Sequence, residues 1–301
     1  MSWKLSAIAP RATIVAALEA REAAMDWDED IVLTAFETAP NASETWQLDA
    51  YTPRKPTDAD RAALTALFTG TAPDLKAERL PDSDWVTESQ RGVEPIEAGR
   101  FYVHTPDHAP SADPFHVNFR IPAAQAFGTG HHATTAGCLS MLGRMHDSGV
   151  RARNVADIGT GTGLLAFAAM ALWPHARFLA SDIDPVCGPA VVGNADDNAI
   201  PIGTGRGELA MLIADGMDDA AIAGRAPFDL LIANILAAPL IDMAHDFADA
   251  VSPRGHLLLA GLLERQQGAV LSAYRKAGFR LHQRVVDGDW AILWLRRRYR
   301  G

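Results

Sequence analysis

Between Asp157 and Gly163 the chain reads D-I-G-T-G-T-G, an acidic residue followed by three alternate glycines. An apolar stretch with strand character precedes this run and a helical one follows it. That is how an α/β sheet approaches a nucleotide-like ligand. Alternate glycines let the turn bend sharply and bring backbone N–H groups close to whatever binds there. A dinucleotide fingerprint, G-x-G-x-x-G, would need glycine where Leu164 stands. Asp157 adds a second distinction, because a carboxylate in this turn repels a pyrophosphate and suits a cofactor with a cationic, amine-bearing end. S-adenosylmethionine has that character; NAD does not. A tight strand–helix turn without a ligand is the plainer reading of the same spacing.

The next predicted strand ends in Asp182-Ile183-Asp184-Pro185. A carboxylate about twenty residues beyond the glycines stands where it can accept both hydroxyls of a ribose. Each charge-assisted bond of that kind contributes roughly 1.5–3 kcal/mol. Asp182 takes this role, and Asp184 the humbler one of capping a helix that Pro185 begins. Further on, Asp215-Gly216 either borders an adenine ring or simply forms a turn.

A strand from Phe228 to Ala233 delivers Asn234-Ile235-Leu236-Ala237-Ala238-Pro239-Leu240 to the same edge of the sheet. Methyl transfer to an amine needs a neutral nitrogen with its lone pair in line with the methyl carbon. A lysine of pKa near 10.4 costs roughly 4–5 kcal/mol to deprotonate at pH 7. A dry site beside a sulfonium lowers that pKa by desolvation and like-charge repulsion. Orientation remains, and an Asn side-chain oxygen can hold the amine N–H and point the lone pair. Asn234 is therefore the candidate catalytic residue. Its alternative is a helix N-cap, and one residue can do both.

Upstream, residues Phe127 to Thr135 read F-G-T-G-H-H-A-T-T. Adjacent His131 and His132 point apart in most backbones, and no Asp or Glu lies near them to complete a metal site. The run reads as a loop closing over the cofactor, with Thr135 bonding it and neither histidine acting as a base. His104, His108 and His116 read as ordinary loop residues. Cys138 and Cys187 read as small buried thiols in two different helices. No metal is expected.

These residues need elements to position them. After a helix over Thr134 to Met145, strands are predicted at Asn154–Ile158, Arg177–Asp182, Glu208–Ile213, Phe228–Ala233 and His256–Ala260. Helices alternate with them at Leu164–Leu172, through Val192, at Leu236–Ala250 and at Glu264–Ala277. Two last strands, Arg280–Val286 and Trp290–Leu295, meet at the hairpin signal Asp287-Gly288. Such alternation builds a parallel, helix-covered sheet. The closing antiparallel hairpin marks the seven-stranded class I methyltransferase (Rossmann-like) α/β fold.

Residues 1–80 read differently. Strands at Trp3–Ile8, Ile31–Phe36, Thr45–Tyr51 (Trp46, Leu48 and Ala50 inward) and Leu75–Leu80 enclose two helices. Pro10 starts the first helix; Thr57 or Asp58 caps the second, which carries Leu64, Leu67 and Phe68 and ends at Gly70. The order is that of a ferredoxin-like split βαβ, which often serves as a recognition module. Residues 81–120 form a connector with a short helix near Trp85 and strands near Phe101 and Val117. Residues 121–301 form the catalytic domain.

The length of 301 residues suits two domains, and a hydrophobic content of 48% supplies real cores. No apolar run reaches the length of a membrane span and no signal pattern opens the chain, so a cytoplasmic protein is expected. A net charge of −10 disfavours nucleic acid and suits a basic protein partner. The basic end at Arg296, Arg297, Arg298 and Arg300 reads as a solvated terminus.

In combination the motifs resemble one family, the methyltransferases that modify protein eleven of the large ribosomal subunit. That family's A-F-G-T-G-x-H-x-T-T appears at Ala126 to Thr135, and its D-x-G-x-G-x-G, D-I-D-P and N-I-L-A-x-P-L follow in order. The resemblance covers about residues 121 to 301. The ferredoxin-like reading of residues 1–80 is in line with it, and a substrate-recognition domain is expected there. It implies that Thr135, Gly159, Asp182 and Asn234 contact S-adenosylmethionine, and that lysine ε-amines and an N-terminal α-amine of the ribosomal protein are methylated. Gly161, Asp157 and Asp215 complete the candidate cofactor site. Three departures stand out. Pro122-Ala123-Ala124-Gln125 replaces the family's D-P-G, His131 and Ala133 replace Thr and Pro, and Ala260-Gly261-Leu262-Leu263 replaces S-G-I-L. The competing readings are a methyltransferase for another protein or a small amine, a NAD-dependent oxidoreductase, and a non-catalytic binding module.

Overall fold

The computed structural model describes residues 3–23, 27–28, 31–38, 44–70, 72–79, 94–122 and 131–298. The chain falls into two compact units, Met1–Glu88 and Ser89–Gly301.

The first unit runs β1 (Trp3–Pro10), α1 (Arg11–Ala23), β2 (Val32–Glu37), β3 (Thr45–Thr52), α2 (Asp58–Ala66) and β4 (Lys76–Arg79). Its sheet has the order β2-β3-β1-β4, and every neighbouring pair is antiparallel. Leu5, Ala7, Ile14, Ala17, Leu48 and Leu64 pack its core. Thr57 is the cap of α2. Its Oγ1 accepts from the Asp60 N–H at 3.2 Å while the Asp60 carboxylate accepts from the Thr57 N–H at 2.7 Å. Hydrogen bonds from Arg54 hold the Asp60 carboxyl down at about 2. The helix ends at Ala66, so Leu67 and Phe68 reach the core from the following turn, which Gly70 completes at φ 95°. Asp49, on the face of β3 opposite Leu48 and Ala50, is also buried, with Gln47 Nε2 donating to it at 2.8 Å.

The second unit opens with a three-stranded sheet of β5 (Ile96–Ala98), β6 (Phe101–His104) and β7 (Val117–Arg120). Phe101, Val103 and Phe119 share an apolar cluster with Cys138, Leu139 and Leu142 of α3 (His131–Asp147). The helix expected near Trp85 lies outside the described residues.

Next come β8 (Asn154–Ile158), α4 (Leu164–Leu172), β9 (Arg177–Asp182), α5 (Cys187–Asp197), β10 (Leu209–Ile213) and α6 (Ala220–Arg225). They are followed by β11 (Phe228–Asn234), α7 (Ala237–Asp242), α8 (Ala244–Ala250), β12 (Val251–Leu263), α9 (Gln267–Lys276), β13 (Phe279–Asp287) and β14 (Trp290–Arg297). The sheet order is β10-β9-β8-β11-β12-β14-β13. From β10 to β12 all pairs are parallel; β14 runs antiparallel to both β12 and β13. Side chains alternate between two cores, as a sheet covered on both faces requires. Leu230 and Ile232 of β11 join the cluster of α3 and α4, whereas Leu231 and Ala233 join that of α7, α8 and α9.

Several elements differ from expectation. The helix expected over Leu236–Ala250 is two helices, because Met243 (φ −80°, ψ 5°) leaves helical geometry between them. Strand β12 extends well past His256–Ala260 because β14 pairs with it as far as Leu263↔Trp290, across a register shift between Leu259 and Leu262. Arg296 and Arg297 are part of β14, not of a solvated tail.

Candidate active site

The strand order reverses between β9 and β11 on either side of β8, and at such a switch point the loops leaving the C-terminal edge part to form a crevice. The glycine run follows β8 at that edge. The N–H groups of Gly159 and Thr160 donate to the Ser181 carbonyl at 2.8 and 3.0 Å, which ties the turn to β9. Gly159 has φ 71°, and a Cβ there would overlap Cγ2 of Ile235. Only glycine lets β8 turn beside the loop that leaves β11.

Asp157 is 1% exposed. Its Oδ2 accepts from Thr160 Oγ1 at 2.7 Å and from the Ala166 N–H at 3.1 Å, bracing the turn against α4. Its Oδ1 is buried without a partner. Burial pushes this carboxyl up to about 7; the two hydrogen bonds oppose the rise and the charge of Asp182 adds to it. Asp182, at the end of β9, accepts from the Gly161 N–H at 2.8 Å through Oδ2 and from the Asp184 N–H at 3.1 Å through Oδ1. Both oxygens keep lone pairs for a ligand. Asp184 accepts from the Val186 N–H at 2.9 Å, a turn contact made before α5 begins at Cys187. Burial, then Asp182, pushes the Cys187 thiol up to about 11, which leaves it no thiolate chemistry at neutral pH.

A cavity of about 490 Å³ opens here, lined by Gly159, Asp182, Asp215, Ile235, Leu236 and Met243 among others. Three sequence-predicted residues (Gly159, Asp182 and Asp215) thus share one cavity, and Gly161 is bonded to Asp182 at its margin. Asn234 ends β11 immediately before Ile235, and its Oδ1 is buried with no hydrogen-bond partner. A buried amide oxygen left open costs about 1–3 kcal/mol, so it calls for a partner such as a water or a bound polar group. Thr135 is buried in the first turns of α3 and, like Asp157 and Asn234, is not among the lining residues described. His131 and His132 open that helix instead of lying in a loop. The closing loop expected before them falls at residues 123–130, outside the described residues.

Sequence reasoning missed Gly261, Ile235 and Met243. Gly261 has φ 81°, and a Cβ on it would meet the Ile235 carbonyl carbon at 2.7 Å and its nitrogen at 2.8 Å. It lets β12 bulge past the segment that carries Asn234. A glycine inside an apolar strand was the available signal. Ile235 and Met243 gave none, because apolar residues at helical spacing read as core. Among the described residues, no group of three or more His, Cys, Asp or Glu is placed to hold a metal, and no helix is long and apolar enough to cross a membrane.

A parallel sheet with one reversed strand beside its far edge, a glycine turn at its switch point and a carboxylate closing the next strand define a Rossmann-like methyltransferase. Within that class the chain belongs to the family described as Ribosomal protein L11 methyltransferase (PrmA), which matches residues 6–298. The match takes in the first unit, where no motif was legible. A ribosomal protein L11 methyltransferase of Agrobacterium fabrum is 36% identical over 275 residues, 90% of each chain. One from Rhizobium etli (strain CIAT 652) is 41% identical over 231 residues, 76% of each chain. The crystal structure of ribosomal protein L11 methylase from Lactobacillus delbrueckii subsp. bulgaricus superposes with a TM-score of 0.57 at 25% identity, covering 69% of this chain and 99% of that one.

Proposed function

We propose that this chain transfers methyl groups from S-adenosylmethionine to lysine ε-amines and the N-terminal α-amine of ribosomal protein L11. The observation that carries this reading is the buried, unpartnered Oδ1 of Asn234, one residue before Ile235 in the wall of a cavity that Gly159, Asp182 and Asp215 also line. The cavity suits S-adenosylmethionine in donor set: a carboxylate for the ribose, a second acid, and apolar walls beside it. When bound, this cofactor supplies an electrophilic methyl group on a sulfonium.

The chain's own residues do the rest. Asp182 accepts the ribose hydroxyls, and Asp215 borders the adenine with Met243. Gly159 and Gly161 permit close backbone approach, Asp157 braces the turn and adds negative charge as pH rises through about 7, and Thr135 contacts the cofactor from α3. Asn234 Oδ1 accepts an N–H from the incoming amine and aims its lone pair. Apolar side chains such as Ile235 and Leu236 exclude water, which favours the neutral amine over the ammonium.

The first unit is read as a ferredoxin-like domain that recognises the protein substrate, on the strength of its strand order and its two helices. The assignment of cofactor is tested by calorimetric titration of the full chain with S-adenosylmethionine and with NAD. One equivalent of the first and none of the second is expected; the opposite result overturns the reading.

A further inference from the structure

Arginines gather at the opposite edge of the seven-stranded sheet. Arg153 precedes β8, Arg177 opens β9, Arg206 lies ahead of β10 and Arg225 ends α6. Together with His175 they line one groove of about 560 Å³. None of the four guanidinium groups has an ion-pair partner among the described residues, although the chain carries 37 Asp and Glu against 27 Lys and Arg. Asp229, on this edge, is otherwise engaged. Its Oδ2 accepts the N–H groups of Arg153 and Asn154 at 2.9 and 3.2 Å, and its Oδ1 accepts from Ser252 Oγ at 3.3 Å. Arg225 is half-buried, and its Nε is buried with no acceptor. Burial, then the charge of Arg177, lowers its pKa from the ordinary value. A solvated basic face would explain three exposed arginines. It does not explain a fourth that is drawn under cover with a donor left open.

We propose that this groove binds a compact polyphosphate, such as the tail of a nucleoside di- or triphosphate. Phosphate oxygens take guanidinium N–H bonds in pairs and neutralise charges that otherwise repel one another. The surroundings favour a compact anion over an extended one. Helix α6, whose Gly224 and Arg225 line the groove, also borders a second groove lined by Asp218, Asp246 and Asp249. An RNA strand continuing across α6 meets those three carboxylates, and the net charge of −10 opposes it at longer range. Arg177 and Asp182 bound the same strand, so the groove lies roughly 17 Å from the acidic edge. The proposal is independent of the methyl-transfer reading.

The test is calorimetric titration of the full chain with inorganic tripolyphosphate at physiological salt. One equivalent should bind, with affinity lowered at least tenfold by Arg225→Gln and by Arg177→Gln. Arg280→Gln, an exposed change on β13, should leave it unaltered. Arg177 is exposed, so its replacement leaves the core intact and keeps the test decisive if the Arg225 variant folds poorly. Absence of binding, or binding that neither groove substitution weakens, overturns the proposal. A polyuridine oligomer that displaces tripolyphosphate at a lower phosphate concentration overturns the choice of a compact ligand.

Discussion

The two edges of the large sheet carry opposite charge on the same strands. Arg153 stands just before β8 and Asp157 near its end; Arg177 opens β9 and Asp182 closes it. In a parallel sheet all the strand starts lie along one edge and all the ends along the other, so this order within each strand adds across neighbours. An antiparallel sheet would mix the signs. The acidic edge also has the glycine turn and the open Asn234 oxygen, which suit a cationic cofactor and an amine substrate. The basic edge presents guanidinium groups, Arg206 among them within the glycine-rich turn Gly203–Gly207, which suit an anion. One fold thus offers two chemistries, separated by the length of a strand.

The sharpest way to break this division is at Asp182, whose carboxylate both anchors the turn through the Gly161 N–H and is assigned the ribose. Asp182→Ala should weaken S-adenosylmethionine binding by about 10²–10⁴, the loss of two charge-assisted bonds, measured by calorimetry. Asn234→Ala should lower turnover by about 10²–10³ with cofactor affinity within about threefold, since orientation acts on the transition state. Turnover left unchanged would remove Asn234 from the chemistry. Gly261→Ala should lower unfolding free energy by about 2–4 kcal/mol, from the left-handed backbone and the overlap with Ile235, measured in a denaturant titration.

A smaller effect follows pH. The Asp157 carboxyl titrates at about 7 in the folded chain, above its ordinary value, so its contribution to stability is full in acid and is lost as pH rises through about 7. A cationic cofactor prefers the ionised form, so its affinity should rise with pH across the same window, and Asp157→Asn should flatten that rise. The smallest effect lies across the sheet. Arg177→Gln should leave S-adenosylmethionine affinity within about twofold, because roughly 17 Å of separation exceeds the ~8 Å Debye length at physiological salt.

Much of the acidic edge was legible because its determinants are local in sequence. The bounds expected for β8, α4 and β9 agree with the structure: Gly159 follows β8, Asp182 closes β9, and Gly163 and Pro174 flank the apolar run of α4. Hydrophobic spacing could not reveal the break at Met243, because Leu240, Ala244 and Phe247 keep helical spacing across it. Nor could it reveal the reach of β12, which depends on pairing with a strand nearly thirty residues later. The open state of Asn234 Oδ1 was invisible too, because it depends on which groups burial brings near. The basic edge was wholly illegible: Arg153, Arg177, Arg206 and Arg225 are scattered in sequence and meet only when the parallel strands align.

The central claim is that the acidic edge directs methyl groups to amines of ribosomal protein L11. It is tested most directly by incubating the purified chain with S-adenosylmethionine and unmethylated large-subunit ribosomal proteins, then recording the intact mass of each. The account predicts methyl-sized steps on L11 alone, lost with Asn234→Ala. An unchanged L11 mass under cofactor-saturating conditions, or steps confined to a different protein, would contradict it.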